Sequence, residues 1–226
     1  MMHPETRRRA VLQAMGVDVW LPRGAADADF VEDSPVSDLQ EAPGWNELRQ
    51  CVQSCTRCEL AKSRTQTVFG VGNEDAEWMI IGEAPGAEED RRGEPFVGRA
   101  GQMLDEMLRA IGKSRDTVFI ANILKCRPPN NRDPKPDEAA ACRSYLERQI
   151  ALVSPRIILA VGKIAAQNLL QSDEPVGRMR GRAHSIDGIP AVVTYHPAYL
   201  LRSPSQKRKS WSDLCLARRL SAGGVA

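Results

Sequence analysis

Three polar residues, Glu83, Asn122 and His196, stand at or just after the ends of short apolar runs. A carboxylate, an amide and an imidazole can between them move a proton, read a hydrogen-bonding edge and donate to a growing negative charge. Glu83 belongs to a stretch from Gly82 to Gly101, GEAPGAEEDRRGEPFVGRAG, that is rich in glycine and charge. Its glycines, Gly82, Gly86, Gly93 and Gly98 among them, allow a backbone to approach a ligand closely. The carboxylates Glu83, Glu88, Glu89 and Asp90 share the stretch with the insert Pro95-Phe96-Val97. That composition predicts a polar pocket with one aromatic wall. A long loop at the carboxyl end of a strand is where open α/β sheets build their sites.

A sheet is needed to bring the three residues together. Trp78–Ile81, Thr117–Leu124, Arg156–Gly162 and Ala191–Tyr195 read as four strands by their bulk and bounding turn residues. Continuous apolarity in the third predicts burial on both faces. Helices are predicted over Trp45–Cys58, from Gln102 to Ile111, from Pro136 onward, over Lys163–Leu170 and across 205–220. In the helix that Pro136 opens, Cys142, Tyr145, Leu146, Gln149, Ile150 and Val153 share a face. Strands alternating with helices predict a three-layer α/β/α sandwich around a mostly parallel four-stranded sheet. Glu83, Asn122 and His196 then fall at its ligand-binding carboxyl edge.

The chain's 226 residues suffice for one well-buried core plus appendages, and 42% hydrophobic with 27% charged residues is the balance of a soluble globular protein. No apolar run is long enough to cross a bilayer, and MMHPETRRRAVLQAMG has no h-region of a secretory signal, so a cytoplasmic protein is expected. A monomer is expected too. The net charge of +2 says little, but its distribution says more. Residues 25 to 41 hold six acids and no base, whereas Arg178, Arg180, Arg182, Arg202, Lys207, Arg208 and Lys209 make the last quarter basic. The predicted organisation is an N-terminal peptide and acidic linker over 1–43, a core over 44–221 and a tail over 222–226.

Of six cysteines, Cys55 and Cys58 form a C-x2-C pair, Cys126 follows the second strand and Cys142 lies on the next helix. In a chain without an export signal these suggest metal ligands or core residues rather than disulfides. On spacing alone, four thiolates hold zinc or an iron–sulfur cluster equally well. Cys51 is a rival ligand, four residues before Cys55, although both Cys51 and Cys215 read as small buried hydrophobes.

Taken together, Gly82-Glu83-Ala84-Pro85-Gly86, Pro95-Phe96-Val97-Gly98, Asn122 before Lys125-Cys126-Arg127-Pro128-Pro129, and His196-Pro197-Ala198-Tyr199-Leu200-Leu201-Arg202 resemble a family 4 uracil-DNA glycosylase. The resemblance runs from about Cys55 to about Leu216. It implies excision of uracil from DNA by hydrolysis of the N-glycosidic bond, and a 4Fe–4S cluster on Cys55, Cys58, Cys126 and Cys142. It implies a base flipped into a pocket, with Phe96 stacking on the ring and the Asn122 amide reading N3 and O4. His196 would donate to O2 as the leaving uracil gains charge, helped by backbone N–H groups around Gly82, Glu83 and Gly86. Glu83 is the candidate for positioning or activating water, and Glu89 for excluding a methyl group at C5. The better-known uracil glycosylases carry an Asp where this chain has Ala84, so that role does not transfer to position 84. A relative that traps DNA covalently carries an inserted basic loop with a His; here Asn130-Asn131-Arg132-Asp133-Pro134 is short and lacks one, so turnover is expected.

Tyr199, Leu200 and Leu201 in their basic setting read as a wedge between bases, with core packing as the alternative, and Arg202 as a phosphate contact. Two rival functions are a non-catalytic iron–sulfur or zinc DNA-binding protein and a nucleotide-binding hydrolase. The second lacks GxGxxG and GxxxxGK[ST] motifs. In the N-terminal peptide, Gln13 to Arg23 is similar to the first segment of the psi subunit of the bacterial replicative clamp loader, which implies docking on that complex. Trp20 with Val17, Val19 and Leu21 suits an anchor of this kind. The alternative is an arm packed on the core.

Overall fold

The computed structural model describes residues 44–223. The predicted peptide and linker over 1–43, including Trp20, and the last three residues of the tail lie outside the described residues.

Six strands form one sheet: β1 (Val71–Gly72), β2 (Trp78–Gly82), β3 (Phe119–Asn122), β4 (Ile157–Val161), β5 (Ala183–Ile186) and β6 (Ile189–Thr194). Their order is β1-β3-β2-β4-β6-β5. The four expected strands, β3, β2, β4 and β6, are mutually parallel at its centre. Short antiparallel strands cover both edges, β1 against β3 and β5 against β6. The two edge strands escape the sequence reading for different reasons. Strand β1 has only two residues, and β5 is half polar and joins β6 through Asp187 and Gly188, both at positive φ.

The pleat explains the three layers. Side chains alternate between faces along a strand. Met79 and Ile81 of β2, Phe119 and Ala121 of β3 and Ile158 of β4 point into one core. There they meet α1 (Trp45–Gln53), α4 (Pro136–Val153) and Ala165 of α5 (Lys163–Leu170). Trp78, Ile80, Ile120, Ile157, Leu159 and Val192 point into the other. That face is covered by α3 (Arg99–Ala110), α7 (Pro197–Arg202) and α8 (Lys207–Ser221). All five residues of β4 are buried, as its unbroken apolarity predicts. The predicted inner face of α4, from Cys142 to Val153, is buried as well.

Two boundaries differ from expectation. Helix α1 stops at Gln53, where Ser54 turns its N–H and Oγ back on the Gln50 carbonyl at 3.0 and 2.9 Å. Cys55 and Cys58 therefore lie on the turn beyond the helix rather than on its end. The long stretch after β2 is not one loop either. It contains α2 (Ala87–Arg92), and α3 begins at Arg99 rather than Gln102. The short helix α6 (Val176–Met179) precedes β5.

Candidate active site

A cleft of about 770 Å³ opens at the carboxyl edge of the sheet and brings Glu83, Gly86, Glu89, Phe96, Asn122, His196, Tyr199 and Arg202 into one wall. Gly82 and Asn122 are partners in the β2–β3 register. The ladder continues past the strands, because Ile123 and Leu124 donate to the carbonyls of Gly82 and Glu83 at 2.9 and 3.0 Å. The chain is thereby held rigid where its chemistry begins.

Asn122 is 2% exposed, and its Oδ1 is buried without a hydrogen-bond partner. An orphaned acceptor of this kind costs about 1–3 kcal/mol unless a ligand donor meets it. Its backbone is fixed from behind. The buried Lys125 ammonium donates to the Asn122 carbonyl at 2.9 Å and to Gln149 Oε1 at 2.6 Å. A Cβ on Gly82 would sit 2.5 Å from Asn122 Oδ1 and 2.6 Å from the Phe96 ring. Only glycine lets the amide and the ring close on the strand end.

Phe96 takes a left-handed backbone, φ 56°, which costs a non-glycine residue about 1–2 kcal/mol. Arg115 holds it there, donating to the carbonyls of Pro95 and Phe96 at 2.6 and 3.1 Å while pairing with Asp105 at 3.2 Å. The Phe96 ring lies stacked beside that of His196, centroids 5.8 Å apart.

His196 caps α7, and its Nδ1 accepts from the Ala198 N–H at 3.1 Å. That bond assigns the ring proton to Nε2. Burial pushes the imidazolium down to about 4, with the Arg202 charge adding to it and Glu89 opposing it. Gly162, at φ 97°, lets α5 start against this ring; a Cβ there would lie 3.0 Å from His196 Cβ. Glu83 is driven the other way. Burial first, then the Asp133 charge, raise its carboxyl to about 7, with Lys163 opposing them.

Several expectations need correction. Of the four loop carboxylates, three are structural. Glu88 pairs with Arg91 and Arg92. Asp90 is buried and accepts from the Thr65 N–H at 2.9 Å. Glu89 brackets the loop: one oxygen accepts from Gly86 at 3.1 Å, the other from Val97 and Gly98 at 3.0 and 3.2 Å. With both oxygens engaged, Glu89 shapes the turn that presents Phe96, and its side chain also lines the cleft. Leu200 is 0% exposed and packs in the core with Leu104 and Leu214, so it is not a wedge. Leu201, 38% exposed, remains available, and the Tyr199 ring packs tilted against that of Tyr195 with centroids 5.0 Å apart.

Sequence reasoning passed over Lys163, Asp133 and Arg115. The first two set the charge around Glu83, and the third pins Phe96. A lysine opening a helix and an arginine before a strand are ordinary residues, and only the fold points them at the site. Asp213 is a similar case. It accepts from Arg180 at 2.7 and 3.0 Å and from Thr194 Oγ1 at 2.9 Å, anchoring the end of β6 two residues before His196.

The four cysteines face one core, on the opposite side of the sheet from α3 and α8. Cys126 and Cys142 are buried there with Cys55 and Cys58 packed against them. Arg64 donates to Cys126 Sγ at 3.2 Å and the Lys125 N–H approaches Cys142 Sγ at 3.4 Å. Burial raises the Cys142 thiol to about 12, with Lys125 opposing it and Cys126 and Cys55 adding to it. Burial also raises Cys58, reinforced by Cys55. This mutual influence places the thiols within electrostatic reach of one another. Among the described residues no three His, Cys, Asp or Glu side chains are gathered closely enough to hold a metal ion. Cysteine thiolates are the ligands of iron–sulfur clusters, and N–H donors to sulfur suit thiolates on iron. The donor set fits that group.

No described helix is long and apolar enough to cross a membrane. Residues 69–217 match the family model described as the uracil DNA glycosylase superfamily. A type-4 uracil-DNA glycosylase of Archaeoglobus fulgidus is 44% identical over 170 residues, covering 72% of this chain and 85% of that protein. One from Thermotoga maritima is 45% identical over 159 residues, covering 69% and 82%. A type-5 uracil-DNA glycosylase of Pyrobaculum aerophilum is more distant, 30% identical over 199 residues with 80% and 86% covered. With the parallel sheet, the cleft at its carboxyl edge and these similarities in agreement, the chain belongs to the uracil DNA glycosylase superfamily.

Proposed function

We propose that this cleft takes a uracil flipped out of DNA and hydrolyses its N-glycosidic bond, leaving an abasic site. The observation that carries this reading is the orphaned Asn122 Oδ1 in the same cleft as a neutral imidazole with its proton on Nε2. Uracil offers N3–H to the Asn122 acceptor and O4 to the amide N–H. Cytosine presents an acceptor at N3 and an amino group in place of O4, so it leaves the amide unpaired at a cost of about 1–3 kcal/mol. Phe96 supplies the apolar face against the ring.

As the bond from C1′ to N1 breaks, its electron pair stays on the base and negative charge spreads to O2. His196 Nε2–H donates to O2, and because the ring is already neutral it stabilises the charge by hydrogen bonding rather than by a full cation. Glu83, ionised, orients a water toward C1′ and takes its proton as the C–O bond forms. Glu89 acts through the turn it brackets, and Tyr199, Leu201 and Arg202 meet the DNA around the flipped nucleotide.

Cys55, Cys58, Cys126 and Cys142 would hold a 4Fe–4S cluster. When bound, it supplies a covalent cross-link between the turn after α1, the segment after β3 and α4, with no part in the hydrolysis. That segment carries Lys125, whose ammonium fixes the Asn122 carbonyl. Residues 13–23, outside the described residues, are proposed to tether the enzyme to the clamp loader; the support is their sequence resemblance, and a pull-down with residues 1–43 against Trp20→Ala tests it.

The test of the catalytic reading is release of free uracil from a single-stranded oligonucleotide, with His196→Ala as control. Wild-type binding to DNA without uracil release would favour the non-catalytic alternative.

A further inference from the structure

Helix α8 buries Ser210, Asp213, Leu214, Leu216 and Ala217 against the sheet. Its outward side carries Lys207, Arg208, Trp211, Ser212, Arg218 and Arg219, all exposed. At 3.6 residues per turn, Lys207, Trp211 and Arg218 form one row and Arg208, Ser212 and Arg219 the next. The helix has one acid, Asp213, and it is buried and engaged by Arg180 and Thr194. The outward side is therefore purely cationic around an indole.

Two contrasts single this face out. Several exposed arginines elsewhere are paired, as Arg49 is with Glu74, Arg109 with Glu106 and Arg143 with Glu147. Among the described residues, the side chains of Lys207, Arg208, Arg218 and Arg219 make no ion pair. Trp211, 44% exposed, and Leu201, 38% exposed, are the large hydrophobics left exposed there. They stand on successive elements, α7 and α8, joined by one turn of helix at Pro204–Gln206. Arg202, which ends α7, lines the cleft. The cationic face thus begins where the cleft ends.

We propose that the outward face of α8 is a second nucleic-acid contact, on which single-stranded DNA leaving the cleft past Arg202 stacks a base on Trp211 and lays its phosphates along Lys207, Arg208, Arg218 and Arg219. This rests on the reading of the cleft as a uracil site. Aromatic rings interleaved with unpaired cations are how proteins hold single strands without reading sequence. From Lys207 to Arg219 the helix rises about 18 Å at 1.5 Å per residue. A stacked strand advances about 3.4 Å per nucleotide, so the face takes roughly five nucleotides.

The experiment compares full-chain wild type with Trp211→Ala, Trp211→Phe and the double variant Arg218→Ser/Arg219→Ser. The probes are a short uracil oligonucleotide that fills only the cleft, the same oligonucleotide extended past it by ten nucleotides on either side in turn, and a uracil-free strand of the longer length. Wild type is expected to bind the longer strands at least tenfold more tightly than the short one, extended on one side only, with quenching of tryptophan fluorescence. Trp211→Ala loses about tenfold on that strand, within the range of one base–aromatic stack, and Trp211→Phe restores most of it. The arginine variant flattens the salt dependence of binding by about 1.4 in log–log slope, for two phosphates at about 0.7 each. Turnover of the short substrate is unchanged in all three. A long-to-short ratio that Trp211→Ala leaves intact overturns the proposal, whether the face serves a protein or nothing. Failure of the glycosylase reading is distinguishable, since wild type would then release no uracil while the uracil-free strand still reports on α8.

Discussion

The raised carboxyl of Glu83 makes a measurable demand on the enzyme's pH dependence. Burial lifts it to about 7, with Asp133 adding to the effect and Lys163 opposing it. If Glu83 must be ionised to take the proton from water, activity follows its ionised fraction. That fraction climbs from roughly 9% at pH 6 to roughly 91% at pH 8, so kcat/KM rises about tenfold over two pH units. His196, held down to about 4, stays neutral throughout that window and contributes no second limb. The profile is therefore a single ascending limb with unit slope below pH 7, in contrast to the limb near 4.5 of an ordinary glutamate. Replacing Lys163 by Met removes the one opposing charge and moves the limb to higher pH. Asp133→Asn moves it lower. Glu83→Gln abolishes the limb and costs about 10²–10⁴ in rate, the usual contribution of a general base. The assay is initial-rate uracil release at substrate well below KM, in buffers of constant ionic strength from pH 5 to 9. A flat profile, or one unmoved by both neighbouring charge variants, would refute Glu83 as the group that handles the water.

Other perturbations follow from the same geometry. Asn122→Ala and His196→Ala should each lower single-turnover excision by about 10²–10³, the cost of one transition-state donor, with the melting temperature little changed for His196→Ala. Gly82→Ala places a methyl group 2.5 Å from Asn122 Oδ1 and should cut uracil release more than tenfold, while circular dichroism shows the sheet intact. Cys126→Ala or Cys142→Ala should abolish the visible absorbance of four-iron protein purified without oxygen, whereas Cys51→Ala and Cys215→Ala preserve it. One equivalent of zinc and no iron in protein made with ample iron would refute the cluster.

Much of the architecture was legible because period and burial coincide. The parallel strands β2, β4 and β6 are apolar runs too short for helices, and α4 carries a clear start signal in Pro136. Edge strands were not legible, since β1 and β5 gain their pairing from a neighbour and have no pattern of their own. The site divides along the same line. Glu83, Phe96, Asn122 and His196 were legible as residue types at strand ends and as motifs. Their supports were not: Arg115 reaches Phe96 from nineteen positions away and Gln149 meets Lys125 across twenty-four. Composition also misled where charge was structural, as with Asp90, because a carboxylate that accepts backbone N–H groups has the same letter as one that faces a ligand. Leu200 was misplaced for a related reason. In a helix of six residues, adjacent leucines point about 100° apart, and the sequence does not say which one is inside.

The electrostatics of the cleft suggest why its two ionisable groups are displaced in opposite directions. Burial disfavours charge on either, so it raises Glu83 and lowers His196 by the same mechanism. Near pH 6 both are mostly neutral, and the cations Arg202 and Lys163 line the same cleft. Around pH 8 Glu83 is ionised and His196 still neutral, which is the state the chemistry requires. A protonated His196 would attract the uracil oxygen in the ground state as well as in the transition state, and binding both equally does not speed the chemical step. A neutral Nε2–H instead gains strength mainly as O2 becomes negative. The short distance from Ala198 N–H to Nδ1 is thus more than a helix cap, because it keeps the second nitrogen from holding a proton of its own. Arg202 belongs to the same device: it depresses His196 while its side chain stays exposed at the cleft.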